Sequence, residues 1–239
     1  MRRRRLIISV GLVVTFVALV LVGLGVMVKR VPGFYAQAEM PADSDRIALS
    51  RATTAQWLDI ASFLRTREPG WEVTFTADQL NAYLQQDYYL HGGDNNLGEG
   101  FSSPRVKIED GKMRIGVRYG SGITSTVLSL EVRVWLVENE VNLLAMEIVS
   151  LQAGSLPLST GTLLDYISEA ARRENIDITW YRHEGHPVAV MRFQSDLTRP
   201  TFQFDRVDLR DGKLTIAARS TDPLGGGPPP PRVVSNTGP

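Results

Sequence analysis

Arg105-Val106-Lys107-Ile108-Glu109-Asp110-Gly111-Lys112-Met113-Arg114-Ile115 has an echo 101 positions later, Arg206-Val207-Asp208-Leu209-Arg210-Asp211-Gly212-Lys213-Leu214-Thr215-Ile216. In both, apolar and polar residues alternate on either side of Asp-Gly, a pair that accepts the positive φ angles of a tight two-residue turn. Each stretch is expected to be an antiparallel hairpin with one apolar face.

Working outward, Leu128, Leu130, Val132, Val134 and Leu136 alternate with Ser129, Glu131, Arg133 and Trp135, which predicts a strand with one buried face. Asn139 and Glu140 turn it into a second apolar-rich run, Val141–Leu151. Further strands are expected at Ile176–Arg182 and Val188–Phe193, around a turn at His183–His186. From Ser44 to Arg67 apolar residues recur at helical spacings, and Pro69-Gly70 ends the run. Thr76 with Gln79 makes a capping box for a helix carrying Leu80, Tyr83 and Leu84, and Ser159 is the expected cap of a helix carrying Leu163, Leu164, Ile167 and Ala171.

Phe75-Thr76 with Leu80, Tyr83 and Leu84 faintly matches Leu158-Ser159 with Leu163, Tyr166 and Ile167. One reading is an ancient duplication of helix plus hairpin; the other is that exposed hairpins repeatedly select Asp-Gly-Lys. Two copies are too few for a solenoid. The fold class is α+β: one N-terminal transmembrane helix, then an antiparallel-sheet domain with helices packed on one face.

The membrane helix is read from Leu6–Val28, 23 residues without a charge. At about 1.5 Å per residue it matches a hydrocarbon core about 30 Å thick. Arg2, Arg3, Arg4 and Arg5 precede it and only Lys29 and Arg30 follow, so the N-terminus is expected in the cytoplasm and the bulk of the chain outside the cell membrane. A cleaved signal peptide is the rival, with Ala36-Gln37-Ala38 as its site. The apolar run exceeds the roughly 7–15 residues of a signal h-region and lies far from that site.

This divides the chain into a basic tip (1–5), the membrane helix (6–28), a stalk (29–43), an extracytoplasmic α+β domain (44–221) and a disordered Gly/Pro-rich tail (222–239). Lys plus Arg and Asp plus Glu both number 26, yet beyond residue 30 there are 20 basic and 26 acidic residues, a formal charge of −6. That balance speaks against nucleic acid as a partner. The chain has no cysteine, which excludes disulfide scaffolds and thiol chemistry.

Candidate chemistry is sparse. His183-Glu184-Gly185-His186 offers two metal ligands but no third, at a place where a hairpin turn is expected. Asp94, Asn96 and Glu99 fail the calcium-loop pattern, which requires glycine where Glu99 stands and glutamate where Arg105 stands. No metal or cofactor is expected. Gly120-Ser121-Gly122 and Gly154-Ser155 lack the neighbours of a nucleophile elbow. Glu131 and Glu147 are a conceivable carboxylate pair across a hairpin, both at outward strand positions. Tyr83, Tyr88, Tyr89, Leu128, Leu130, Val132 and Val134 are the candidate lining of a hydrophobic groove between helices and sheet; the alternative is that they fill the core. Pro228–Pro231 is a possible docking segment, otherwise tail.

Phe75-Thr76-x-x-x-Leu80-Asn81-x-Tyr83-Leu84, after an apolar N-terminal helix and before a hairpin-rich region with Gly154-x-Leu156-Pro157, resembles the YpmS-like group of singly anchored bacterial envelope proteins. The likeness spans residues 5–170 in order of elements. It implies an extracytoplasmic α+β domain of unknown activity that binds lipid-like material, and it supplies no catalytic residues. The second Asp-Gly-Lys hairpin and the proline tail depart from it. The expected function is therefore a membrane-anchored, non-enzymatic protein binding a hydrophobic ligand or an envelope protein. The alternative is a cell-envelope hydrolase acting on carbohydrate or cell wall through Glu131, Glu147 or the His183–His186 loop.

Overall fold

The computed structural model describes residues 2–90, 97, 99–173, 176–193, 200–222 and 232–234. In chain order the elements are α1 (Arg2–Lys29), α2 (Gly33–Gln37), α3 (Ser44–Thr66), β1 (Trp71–Thr76), α4 (Ala77–Gln85), α5 (Asp87–Leu90), β2 (Phe101–Glu109), β3 (Lys112–Tyr119), β4 (Thr126–Leu136), β5 (Leu143–Ala153), β6 (Leu156–Pro157), α6 (Gly161–Arg173), β7 (Asp177–His183), β8 (His186–Arg192), β9 (Phe202–Arg210), β10 (Lys213–Ser220) and β11 (Arg232–Val234). The fold is α+β.

Three hairpins share one turn chemistry, with positive φ at both central residues: Asp110-Gly111, Glu184-Gly185 and Asp211-Gly212. They join β2 to β3, β7 to β8 and β9 to β10. The two echoed hairpins have the same register, Ile108 opposite Met113 and Leu209 opposite Leu214. Their settings differ, because they lie in two sheets where one was expected. The order is β2-β3-β4-β5-β8-β7 in the large sheet, with β6 on β5, and β11-β1-β10-β9 in the small one. Asp-Gly chemistry accounts for the shared turn geometry.

The sheets bury one face of each against the other. From the small sheet come Trp71, Val73, Phe75, Leu209 and Ala218; from the large one come Val106 and Ile108, with Met113, Ile115 and Val134 packed alongside. Helix α3 closes this core by laying Trp57 on Phe75, ring centroids 4.5 Å apart, and Phe63 on Trp71 at 5.9 Å. Asp43 caps α3, and the expected Thr76–Gln79 capping box opens α4. Helix α6 begins at Gly161, whose N–H is 3.5 Å from Ser159 Oγ, and it lies over β7, where Trp180 Nε1 donates to Ser168.

Two buried asparagines tie the edges together. Asn81 of α4 donates to the Val106 carbonyl at 2.7 Å and accepts from the Val106 N–H at 2.8 Å, pairing with edge strand β2 as another strand would. Asn142, between β4 and β5, does the same to β9 of the other sheet, at Phe202 O (2.7 Å) and Phe204 N–H (2.8 Å). Both side chains are 2% exposed.

Two expectations need correction. Residues 29–43 are not a free stalk: α2 lies against the outer face of the large sheet, and Tyr35 is 1% exposed. Gly116 leaves the room, since a Cβ there would come within 2.6 Å of the Tyr35 ring. The tail expected to be disordered over 222–239 forms a short strand at Arg232–Val234, parallel to β1, because the free edge of β1 offers unpaired backbone groups. Most of the remaining tail, including Pro228–Pro231, and most of the 91–100 loop, including His91, lie outside the described residues.

Replacing Asn81 by Ala removes two buried hydrogen bonds and leaves the β2 edge unmet. It should cost about 2–4 kcal/mol in urea unfolding of the full-length chain in detergent; a change under about 0.5 kcal/mol would refute the clamp.

Candidate functional site: the docked end of the apolar helix

Helix α1 is the one helix among the described residues long and apolar enough to cross a membrane; it lies near the N-terminus, and none of its apolar window is buried. Phe16, Leu19, Leu21, Val22 and Val26 are each more than 60% exposed, so this is no core helix.

The last carbonyls of a helix have no partner within it and must find one elsewhere. Here the domain supplies them. Ser155 donates its backbone N–H (2.9 Å) and its hydroxyl (3.2 Å) to Met27 O, and the Thr126 hydroxyl donates to Val28 O at 2.6 Å. Lys29, placed favourably at the negative end of the helix, donates its ammonium to the carbonyls of Ile123 (2.5 Å) and Ser125 (2.9 Å). Gly154 permits this approach: φ is +61° and a Cβ would lie 2.4 Å from both Met27 O and Val28 O.

From that junction α2 straps the chain to the sheet. The Tyr35 hydroxyl donates to Ser103 O at 2.7 Å, and Arg105 donates to Tyr35 O at 2.8 Å while its guanidinium lies over the Tyr35 ring. Gln85 continues the strap, donating to Ala38 O and accepting from the Met40 N–H.

Beside the junction begins the inner apolar face of the large sheet. Leu128 is two residues beyond Thr126, opposite Val117, and Leu130 lies between Ile115 and Leu151. Val117, Leu128, Leu130 and Leu151 are half-buried, whereas Val132, further from the junction, is 2% exposed and Val134 packs into the core. Of the candidate groove residues, Val132 is buried, whereas Leu128, Leu130 and Val134 are half-buried, Val134 against the core between the sheets. Tyr83 and Tyr88 are half-buried on α4 and α5; α4 rests on α3 and edge strand β2, with β3 between β2 and β4. The side chain of Tyr89 lies outside what the structure describes.

The outer face carries a lattice of paired charges. Glu131 accepts from Lys112 at 2.8 Å and from Arg114 at 2.7 Å; Glu147, 2% exposed, accepts from Arg133 and contacts His186 Nδ1, both at 2.8 Å. Burial alone would raise the Glu131 pKa, but the hydrogen bonds and charges of Lys112 and Arg114 outweigh it and hold the carboxyl below the ordinary glutamate range. That is the wrong direction for a general acid. Glu147 stands opposite Arg133, not Glu131. His183 is exposed at the turn, and among the described residues no three His, Asp or Glu side chains gather to hold a metal ion. A crevice of about 420 Å³ lies on this face between Phe34, Arg114, Ser129, Glu131 and Gln152, and its walls are mainly polar.

Compared with known proteins, the chain matches no protein-family model, no curated protein and no solved structure. The junction role of Thr126, Gly154 and Ser155 escaped sequence reasoning, which weighed Gly154-Ser155 as a failed nucleophile elbow and Gly154-x-Leu156-Pro157 as part of a family resemblance. The available signal was a glycine between an apolar strand and a turn, which marks a close backbone approach.

Alanine at Gly154 should lift the end of α1 off the domain and make Lys29 and Arg30 about tenfold more susceptible to limited trypsin cleavage; an unchanged rate would contradict the docking. For Glu131→Gln the sign follows from the lowered folded pKa. The stabilisation is present above the unfolded value of about 4.3 and is lost as pH falls through the folded value. The variant should therefore lose about 1–2 kcal/mol at pH 7 and progressively less as acid protonates wild-type Glu131, as read from urea unfolding at each pH.

Proposed function

We propose that the chain is a single-pass membrane protein, N-terminus in the cytoplasm and domain on the extracytoplasmic side, which binds a lipid-like apolar ligand without performing catalysis. The observation that carries this reading is the junction itself. The end of the apolar helix is built into the domain within two residues of Leu128, on a strand whose inner-face side chains Leu128 and Leu130 are half-buried. Such a face receives an acyl chain leaving the bilayer without crossing water.

Retention of the anchor has separate support. Signal cleavage after Ala38 would remove Tyr35, a side chain 1% exposed, and strip Arg105 of its ring and carbonyl partners. Four arginines ahead of the helix set the orientation by the positive-inside bias. The ion-paired state of Glu131 and Glu147 weighs against the hydrolase alternative. The resemblance to the YpmS-like group agrees with an anchored, lipid-handling domain.

Full-length protein purified from membranes in mild detergent should retain residues 1–38 by intact mass and release an apolar molecule on organic extraction and in native mass spectra. Leu128→Asn should lower occupancy about tenfold, the affinity equivalent of one apolar side chain. A mature chain starting near Glu39 overturns the anchor; a wild-type protein without extractable ligand overturns the binding function.

A further inference from the structure

Among the described residues outside α1 the most exposed large apolar side chain is Ile123, at 95%, in the exposed loop 121–124 between β3 and β4. An isolated isoleucine on a surface needs no explanation, but this one sits at a defined place. The Lys29 ammonium at the end of α1 bonds its carbonyl, so the loop lies within one lysine side chain of the final helical turn.

Its surroundings are of one kind. Tyr119, 46% exposed and tilted against the Phe101 ring at 5.0 Å, precedes the loop; Leu158, 38% exposed, follows the Ser155 turn that caps α1. Arg30 and Arg118 are exposed at the same end. The chain thus gathers aromatic, aliphatic and basic side chains around the emerging helix, the set that suits the boundary between acyl chains and phosphate headgroups. Because the helix end is fastened to the domain by Thr126 and Ser155, this end cannot swing away from that boundary without breaking the junction.

We propose that loop 121–124 is a second membrane contact: Ile123 inserts into the acyl–headgroup boundary of the leaflet from which α1 emerges, with Tyr119 and Leu158 beside it. The inference rests on α1 spanning a bilayer, and the test separates the two. The chain has no cysteine, so Ile123→Cys provides a single labelling site at a position where substitution disturbs no packing. Lys213→Cys serves as the reference; it flanks the Asp211-Gly212 turn, which meets the Asp110-Gly111 turn at the opposite end of β3, about 23 Å from Tyr119.

Each full-length variant is labelled with an environment-sensitive fluorophore and reconstituted into phosphatidylcholine–phosphatidylglycerol vesicles containing shallow nitroxide lipids. The label at 123 should shift to the blue and be quenched at least threefold more than the label at 213. If the protein floats with vesicles but both labels are quenched alike, the loop contact is overturned and the anchor stands. If the protein does not float with vesicles, the anchor reading falls and takes the inference with it.

Discussion

Backbone polar groups that no helix or ladder satisfies govern how this molecule is assembled. Each costs about 1–3 kcal/mol if buried unmet, comparable with a fifth of a typical domain's whole stability. The chain meets them with a handful of side chains. Asn81 pairs with the edge of the large sheet and Asn142 with the edge of the small one; Ser155 and Thr126 receive the last carbonyls of α1; Arg105 holds Tyr35 O. Apolar burial drives the two sheets and α3 together, but burial is non-directional. The hydrogen-bonding side chains decide which edge meets which element, and where the apolar helix leaves the domain.

The two faces of the large sheet divide the work. On the outer face, Lys112 and Arg114 pair with Glu131 and Arg133 pairs with Glu147 across neighbouring strands, so the carboxylates are committed to cations. The inner face is apolar along its length: Val106, Ile108 and Val132 are buried beneath the small sheet and α3, and Ile115, Leu128, Leu130 and Val134 are half-buried. Polarity thus runs across the sheet, and the half-buried inner-face residues beside the end of α1 are where the proposed apolar ligand would sit.

Local chemistry was legible from the sequence, and long-range placement was not. Asp-Gly turns, the Thr76–Gln79 box and the alternation of Leu128–Leu136 are set by neighbours within a few residues and stand where the pattern puts them. Strand β1 was missed because Trp71–Thr76 is six residues wedged between two helices, too short for its period to stand out. The division into two sheets was equally hidden, since hairpins with the same pattern fit either. Residues 29–43 read as a stalk because Pro32, Gly33 and Pro41 signal loops; what packs them is the space at Gly116, far away in the chain. Of the groove residues, Val132 is buried while Leu128 and Leu130 are half-buried, and near α1 it is Val127 and Ser129 of the opposite face that are buried, which alternation does not encode.

A flexible stalk and a fastened junction have different consequences for a domain that takes an apolar molecule from a bilayer. On a stalk the binding face samples all orientations, and a ligand must leave the lipid before it is met, exposing its full apolar surface at about 25 cal/mol per Å². With Thr126 and Ser155 holding the helix end, the inner face keeps one orientation to α1, and Leu128 starts two residues from the fastening point. Under the proposed function a ligand would then exchange one apolar surface for another in small steps. That geometry gives a physical reason for glycine at 154: any Cβ there would meet Met27 O and Val28 O and push the helix end away.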